Sequence, residues 1–384
     1  MGPVVLGGHP RVHAAYQAQA DQLGVSDQAI YNKLHHVELG VSAERVRDAA
    51  RQAAPVIGEL HAELPPLVAG YRTKILDGNH LAASEHRVAE LRRTWAAPLP
   101  GPILGVLEQQ PMLATEVVLG EDGHAQKRSL LGQGLPLVSP DDLWMADRNF
   151  CTIDFLWGIA ARGGYFGMRQ HGQPQGTLVG SRPYKGAVDT GKVYEQRIDL
   201  VNAQGDPRPL RRRTVALHEP TRDGDAAIHI LSNVPRRQAS AQTLTASYRK
   251  RWTIETMFQE LTETLPCEVH ALGYPKAALF GFCLALLADN AVAVLKAALR
   301  AVSGGAQVQP DISLYYLALE IAQTYDGMMV AIPRQEWLLF RALNAKQLAD
   351  VLKELGDLRQ PATLPATSAW AQEGTHATNG LQKR

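Results

Sequence analysis

Two aspartates and a glutamate stand where strand ends and a helix could bring carboxylates together. Asp77 follows the strand-like stretch Tyr71 to Leu76 (YRTKIL) and precedes Gly78, the pattern of a strand running into a turn. Asp147 follows the short apolar run Leu143 to Ala146 in the same way. Glu255 lies in TLTASYRKRWTIETMFQELTETL, where Tyr248, Arg251, Glu255 and Thr262 are separated by three, four and seven residues. Those separations stack side chains on one helical face. An apolar stripe of Ile254, Met257, Phe258, Leu261 and Leu265 runs beside them as an anchor. Two strand-end aspartates plus a helix-borne glutamate supply the oxygen ligands that paired Mg²⁺ ions need for phosphodiester chemistry. Taken singly, each acid has a plainer explanation: Asp77 as a turn residue, Asp147 as a helix cap or partner of Arg148, Glu255 as part of a solvated helix. Only the constellation points to chemistry.

Bulk charge is neutral on that question, with 39 Lys+Arg against 38 Asp+Glu giving +1. Any basic surface must therefore be local. One is expected between Ala226 and Ile254, where Arg236, Arg237, Arg249, Lys250 and Arg251 occur with no acid among them. Such a stretch suits phosphate. The three cysteines, Cys151, Cys267 and Cys283, are odd in number and far apart. They form neither a disulfide framework nor a metal knuckle, which points to a reducing cytosol. The N-terminus lacks the charged and apolar regions of a signal peptide. The most apolar run, Ala277 to Ala288, is too short to span a bilayer and reads as a buried helix. A soluble, intracellular chain without membrane contact is expected.

At 384 residues and 45% apolar content, the chain has room for several structural units around a sizeable core. Residues 1–64 read as helical, ending at Leu64-Pro65-Pro66. Ala20, Gly24 and Ile30 fit either a DNA-binding helix-turn-helix or a plain helical hairpin, with Ser26 as an N-cap. Residues 65–171 alternate strands and helices: strands at 71–76, 102–109, 112–120, 143–146 and 165–169, a polar helix near 80–95, helical structure near 127–137, and an amphipathic helix at 151–161. Residues 172–233 are rich in Gly and Pro with short alternating runs, the texture of an antiparallel β insertion. Helical periodicity returns over 244–265 and 277–302, completing a core of 65–171 and 234–302. Further helices are expected within 303–360, and a disordered tail over 361–384. The expected fold class is α/β, a mixed sheet with helices on its faces and at both ends of the chain.

Other motifs are weaker. His35-His36 reads as an exposed pair, and His80 and His86 lack HExxH spacing. No phosphate-binding glycine loop or serine-nucleophile elbow is present. Cys283 reads as core, and Trp252 as packing rather than as a base-stacking ring.

The residues around the three acids resemble the bacterial insertion-sequence DDE transposases, the insertion-sequence-four family. Tyr248, Arg251 and Glu255 match the first three members of that family's Y-x2-R-x3-E-x6-K signature, and YRKRWTIETMFQEL resembles its helix throughout. Asp77 in ILDGNHLAASEHR resembles the first catalytic aspartate, and Asp147 in MADRNFCTIDFL the second. The resemblance covers about residues 70–300. It implies an RNase H-like core interrupted by a β insertion, in which an aromatic, Tyr184 or Tyr194 here, holds a flipped base. It implies Asp77, Asp147 and Glu255 as catalytic metal ligands for two Mg²⁺ ions, with Mn²⁺ able to substitute. Tyr248, Arg249, Lys250 and Arg251 would contact DNA. The implied reaction is cleavage at transposon ends and strand transfer into target DNA by a homodimer in a synaptic complex, in the bacterial cytoplasm at the nucleoid. Thr262 departs from the signature, since it stands where the family carries lysine and offers only a neutral hydrogen bond. Two further readings follow: a weakened or truncated copy acting as a DNA-binding regulator, and a metal-dependent nuclease without strand transfer.

Overall fold

The computed structural model describes residues 4, 9, 11–81, 100–123, 125–170, 176–221, 224–265, 274–304 and 314–357. Most of the polar helix expected near 80–95, and the whole tail over 361–384, lie outside the described residues. From Val12 onward the described residues form helices α1 (Val12–Gln17), α2 (Ala20–Leu23), α3 (Asp27–His35) and α4 (Leu39–Glu59). Ser26 caps α3 by accepting from the Ala29 amide at 3.2 Å. The helix before it, α2, is a single turn ending at Gly24 (φ +64°).

Strands β1 (Arg72–Asn79), β2 (Ile103–Glu108) and β3 (Leu113–Leu119) form an antiparallel meander. A 3₁₀ turn at Lys127–Leu130 and the short α5 (Leu131–Gly134) lead to β4 (Asp142–Ala146). Helix α6 (Ile153–Ala161), capped by Thr152, then connects to β5 (Tyr165–Arg169). Strand β4 pairs in parallel with β1 on one side and β5 on the other. Strand β4 reads as a nearly continuous apolar run, because a parallel strand covered on two faces must be buried on both, whereas β1 carries Arg72, Thr73 and Lys74 ahead of Ile75 and Leu76. This is the expected RNase H-like sheet.

The β-rich stretch supplies β6 (Thr177–Val179), β7 (Tyr184–Val188), β8 (Gly191–Val201), β9 (Pro207–Leu217) and β10 (Ala227–Ser232). Sequence reasoning set residues 172–233 apart from the central sheet; the hydrogen bonding joins them to it. The order is β3-β2-β1-β4-β5-β10-β9-β8-β6, with β7 on β8. Strand β10 covers the edge that β5 would otherwise leave with unpaired backbone groups.

Helices α7 (Ala241–Arg249), α8 (Trp252–Thr264) and α9 (Pro275–Val302) follow, then α10 (Leu314–Ala331), α11 (Arg334–Leu338) and α12 (Ala345–Asp357). The single helix expected over 244–265 is interrupted. The Lys250, Arg251, Thr253 and Ile254 amides bond three residues back instead of four, a tightened turn that separates Tyr248 on α7 from Glu255 on α8. The apolar run at Ala277 belongs to the 28-residue α9, which is long and apolar enough to cross a bilayer. Its residues Leu279, Phe282, Cys283 and Leu286 are nevertheless buried in the core shared with β1, β2, β3 and α8. On the opposite face, Leu76, Leu104, Trp144, Phe166 and Met168 pack with Phe155, Leu156 and Ile159 of α6.

A buried charge cluster ties the added strands to the segment before α7. Glu195 on β8 and Arg213 on β9 are opposed in register and essentially unexposed, with Glu195 Oε2 3.2 Å from Arg213 Nε. Arg236, beyond β10, also pairs with Glu195. Removing one partner strands the other in a low-dielectric interior. Glu195→Ala should therefore destabilise the protein by about 3–5 kcal/mol, measured as a lowered urea midpoint.

Candidate active site

The last paired residues of β1 and β4 are Leu76 and Ala146. Asp77 and Asp147 are the next residue on each, at the carboxyl ends of neighbouring parallel strands, where α/β sheets hold their ligands. Side chains alternate along a strand. Ile75 packs on the α8 and α9 side and Met145 in the cluster with Leu244 and Tyr248 of α7, so the aspartates follow on the same helix-covered side.

Glycine lets α8 come close there. Gly105 on β2 is the register partner of Asp77, and a Cβ at Gly105 would lie 2.6 Å from the Phe258 ring. Phe258 is three residues beyond Glu255 on α8, so the contact that seats the helix brings its acid to the strand ends.

Asp77 Oδ1 accepts from the Gly78 amide at 2.8 Å, and its Oδ2 lies 3.9 Å from Arg251 Nη1. The same Nη1 donates to Glu255 Oε1. Asp147 accepts from the Asn149 amide at 2.7 Å and from Asn149 Nδ2 at 3.0 Å. Both aspartates thus also serve the local turn and cap roles that sequence offered as plain alternatives. Tyr248, buried, donates its hydroxyl to the Ala146 carbonyl at 3.2 Å. Burial raises its pKa, so the phenol remains a neutral donor.

Burial also pushes the Asp77 carboxyl up to about 6, opposed by the Gly78 amide and Arg251 and reinforced by Glu255 and Asp147. The donor set suits a hard divalent ion such as Mg²⁺ or Mn²⁺. Among the described residues, however, no three His, Cys, Asp or Glu side chains are grouped to hold a metal as they stand. The Arg251 guanidinium instead links Asp77 and Glu255. Glu255 is half-exposed and held by Arg251.

Several other expected residues are elsewhere engaged. Arg249 pairs with the exposed Asp189 at 3.0 Å, and Arg236 with Glu195. Of the five cations in the basic stretch, Lys250 and Arg237 have no carboxylate partner among the described residues. Thr262 donates back to the Phe258 and Gln259 carbonyls, which occupies its hydroxyl. Trp252 overturns the packing expectation, being 58% exposed. It stands with Arg249 between a cavity of about 890 Å³ that includes Tyr248 and Glu255 and a second of about 560 Å³ lined by Lys250 and Lys296. The sequence signal was present: Trp252 lies off the apolar stripe of α8. Tyr184 is exposed and edge-on to Tyr194, with ring centroids 5.7 Å apart.

Residues 113–270 match the family model of the transposase DDE domain. The match takes in Asp147, Tyr248, Arg251 and Glu255 and begins beyond Asp77. No curated protein matches the chain. The family match supports a DDE transposase, an enzyme of the nuclease and transposase kind that acts on DNA.

The raised Asp77 pKa fixes a pH dependence. The folded state holds the proton up to about pH 6, whereas the unfolded chain releases it near pH 4. Ionised Asp77 therefore lowers stability above pH 6, and the penalty vanishes below pH 4. In EDTA, Asp77→Asn should be more stable than the parent at pH 8, on the order of 2 kcal/mol, with the gap closing by pH 4. Thermal melts across that range test it.

Proposed function

We propose that the protein cuts DNA at transposon ends and joins the freed ends to target DNA, as a member of the Y-R-E-K group of insertion-sequence enzymes. The observation that carries this reading is the register of β1 and β4, which sets Asp77 beside Asp147 while Arg251 connects Asp77 to Glu255. Asp77, Asp147 and Glu255 would hold two Mg²⁺ ions, or Mn²⁺ in their place. When bound, such ions supply activation of water or a 3′-hydroxyl and stabilisation of the departing oxygen.

The chain's own residues do the positioning. Arg251 has a buried Nε with no hydrogen-bond partner among the described residues, and a phosphate would reach its guanidinium only by displacing the contacts that cover it. Engaging phosphate would release Glu255 toward the two aspartates. Tyr248 braces Arg251 and the end of β4. Arg249 and Lys250 would contact the DNA backbone, and the exposed Trp252 offers a face for a nucleobase. Cleaving and joining two ends together calls for a homodimer holding paired DNA ends. A bacterial cytoplasmic enzyme working at the nucleoid fits this activity.

Asp147→Asn keeps the shape and removes the charge. It should abolish Mg²⁺-dependent cleavage of end DNA while preserving binding in a gel-shift assay, and Glu255→Gln should behave alike. Glu260→Gln should cleave as the parent does. Retained cleavage in Asp147→Asn would refute the assignment. Lys250→Glu should weaken binding to any duplex and lower the salt slope by roughly 0.9 for each phosphate that is no longer neutralised; an unchanged slope removes Lys250 from the DNA surface.

A further inference from the structure

The 3₁₀ turn Lys127–Leu130 touches both aspartate-bearing loops. Lys127 Nζ donates to the carbonyl of Gly78, the residue after Asp77. Arg128 Nε donates to the carbonyl of Asn149 at 2.6 Å. Asn149 is the residue that binds both carboxylate oxygens of Asp147. Two consecutive basic residues thus reach the two loops, one each. Leu130 and the following Leu131 are buried with Leu104 and Val106 of β2, which anchors the turn to the sheet.

Glycine at 78 has a steric role in this contact. A Cβ there would collide with the methylene stem of Lys127. Among the described residues, neither Lys127 nor Arg128 is paired with a carboxylate. Both cations are directed at backbone carbonyls.

The ladder explains why a clamp is needed. Pairing of β1 with β4 ends at Leu76 and Ala146, and pairing of β4 with β5 ends at Ala146 and Met168. Asp147 lies beyond every strand bond, and Asp77 is held only on its β2 side. We infer that Lys127 and Arg128 are positioning residues that fix the separation of Asp77 and Asp147 where the sheet no longer does, and so set the affinity of the pair for a divalent cation. This rests on the metal-binding role proposed above.

The experiment titrates Mn²⁺ into the full chain, with and without duplex DNA, and reads bound ion by electron paramagnetic resonance. Lys127→Met keeps the stem and removes the ammonium; Arg128→Gln removes the guanidinium. The double variant should bind Mn²⁺ roughly 10–100-fold more weakly, the range for residues that orient metal ligands, with a melting temperature in EDTA matching the parent. Arg128→Lys should recover part of the affinity. Unchanged Mn²⁺ affinity in the double variant, in a parent that binds the ion and loses it in Asp147→Asn, overturns the clamp and leaves the metal site standing. A parent that binds no Mn²⁺ in either condition overturns both. Should the double variant fail to fold, Arg128→Gln alone decides, because Arg128 is exposed and outside the core.

Discussion

The parallel pairing of β1 with β4 is the constraint from which the site follows, because a slip of one residue would turn one of the two aspartates to the opposite face. Its register is pinned at the far end by charge. Arg72 is the register partner of the fully buried Asp142. Its Nη2 lies 2.7 Å from Asp142 Oδ1, while Lys74 Nζ lies 3.0 Å from the other oxygen. A buried acid satisfied by two cations of the neighbouring strand fits only one alignment. Five residues later, that alignment delivers Asp77 and Asp147 side by side.

The central strands could be read from sequence because their burial imposes apolar runs and their ends carry turn residues. LWMA before Asp147 is such a case, and β4 begins one residue before its expected start; YRTKIL is marked by the Asp77-Gly78 turn instead, and β1 runs on to Asn79, three residues beyond its expected end. The break between α7 and α8 could not be read. No Pro or Gly marks it, and it shows only in amides that bond three residues back. Sequence spacing placed Tyr248, Arg251 and Glu255 on one face, yet could not show that Arg251 would join Glu255 to Asp77. That link depends on α8 docking over Gly105, through its contact with Phe258, 153 residues further along the chain.

The basic stretch shows the limit of counting charges along a chain. An absence of acids between Ala226 and Ile254 suggested a free cationic surface, but most of its partners come from distant segments, Glu195 on β8, Asp189 before β8 and Asp77 on β1, with Glu255 just past the stretch as Arg251's nearer partner. Folding therefore converts much of a local charge excess into internal pairing. Lys127 and Arg128 reverse the case, since nothing in their sequence context suggests that they meet the loops after Asp77 and Asp147.

The joining of β10 to β5 has a geometric consequence. Neighbouring strands lie about 4.8 Å apart and rotate by roughly 20–25° at each step. From β4 the sheet reaches β8 in four steps, through β5, β10 and β9. Over roughly 19 Å the strand direction accumulates a rotation of about 80–100°. At that average twist, side chains on β8 would point nearly at right angles to those on β4, the sheet turning gradually between them.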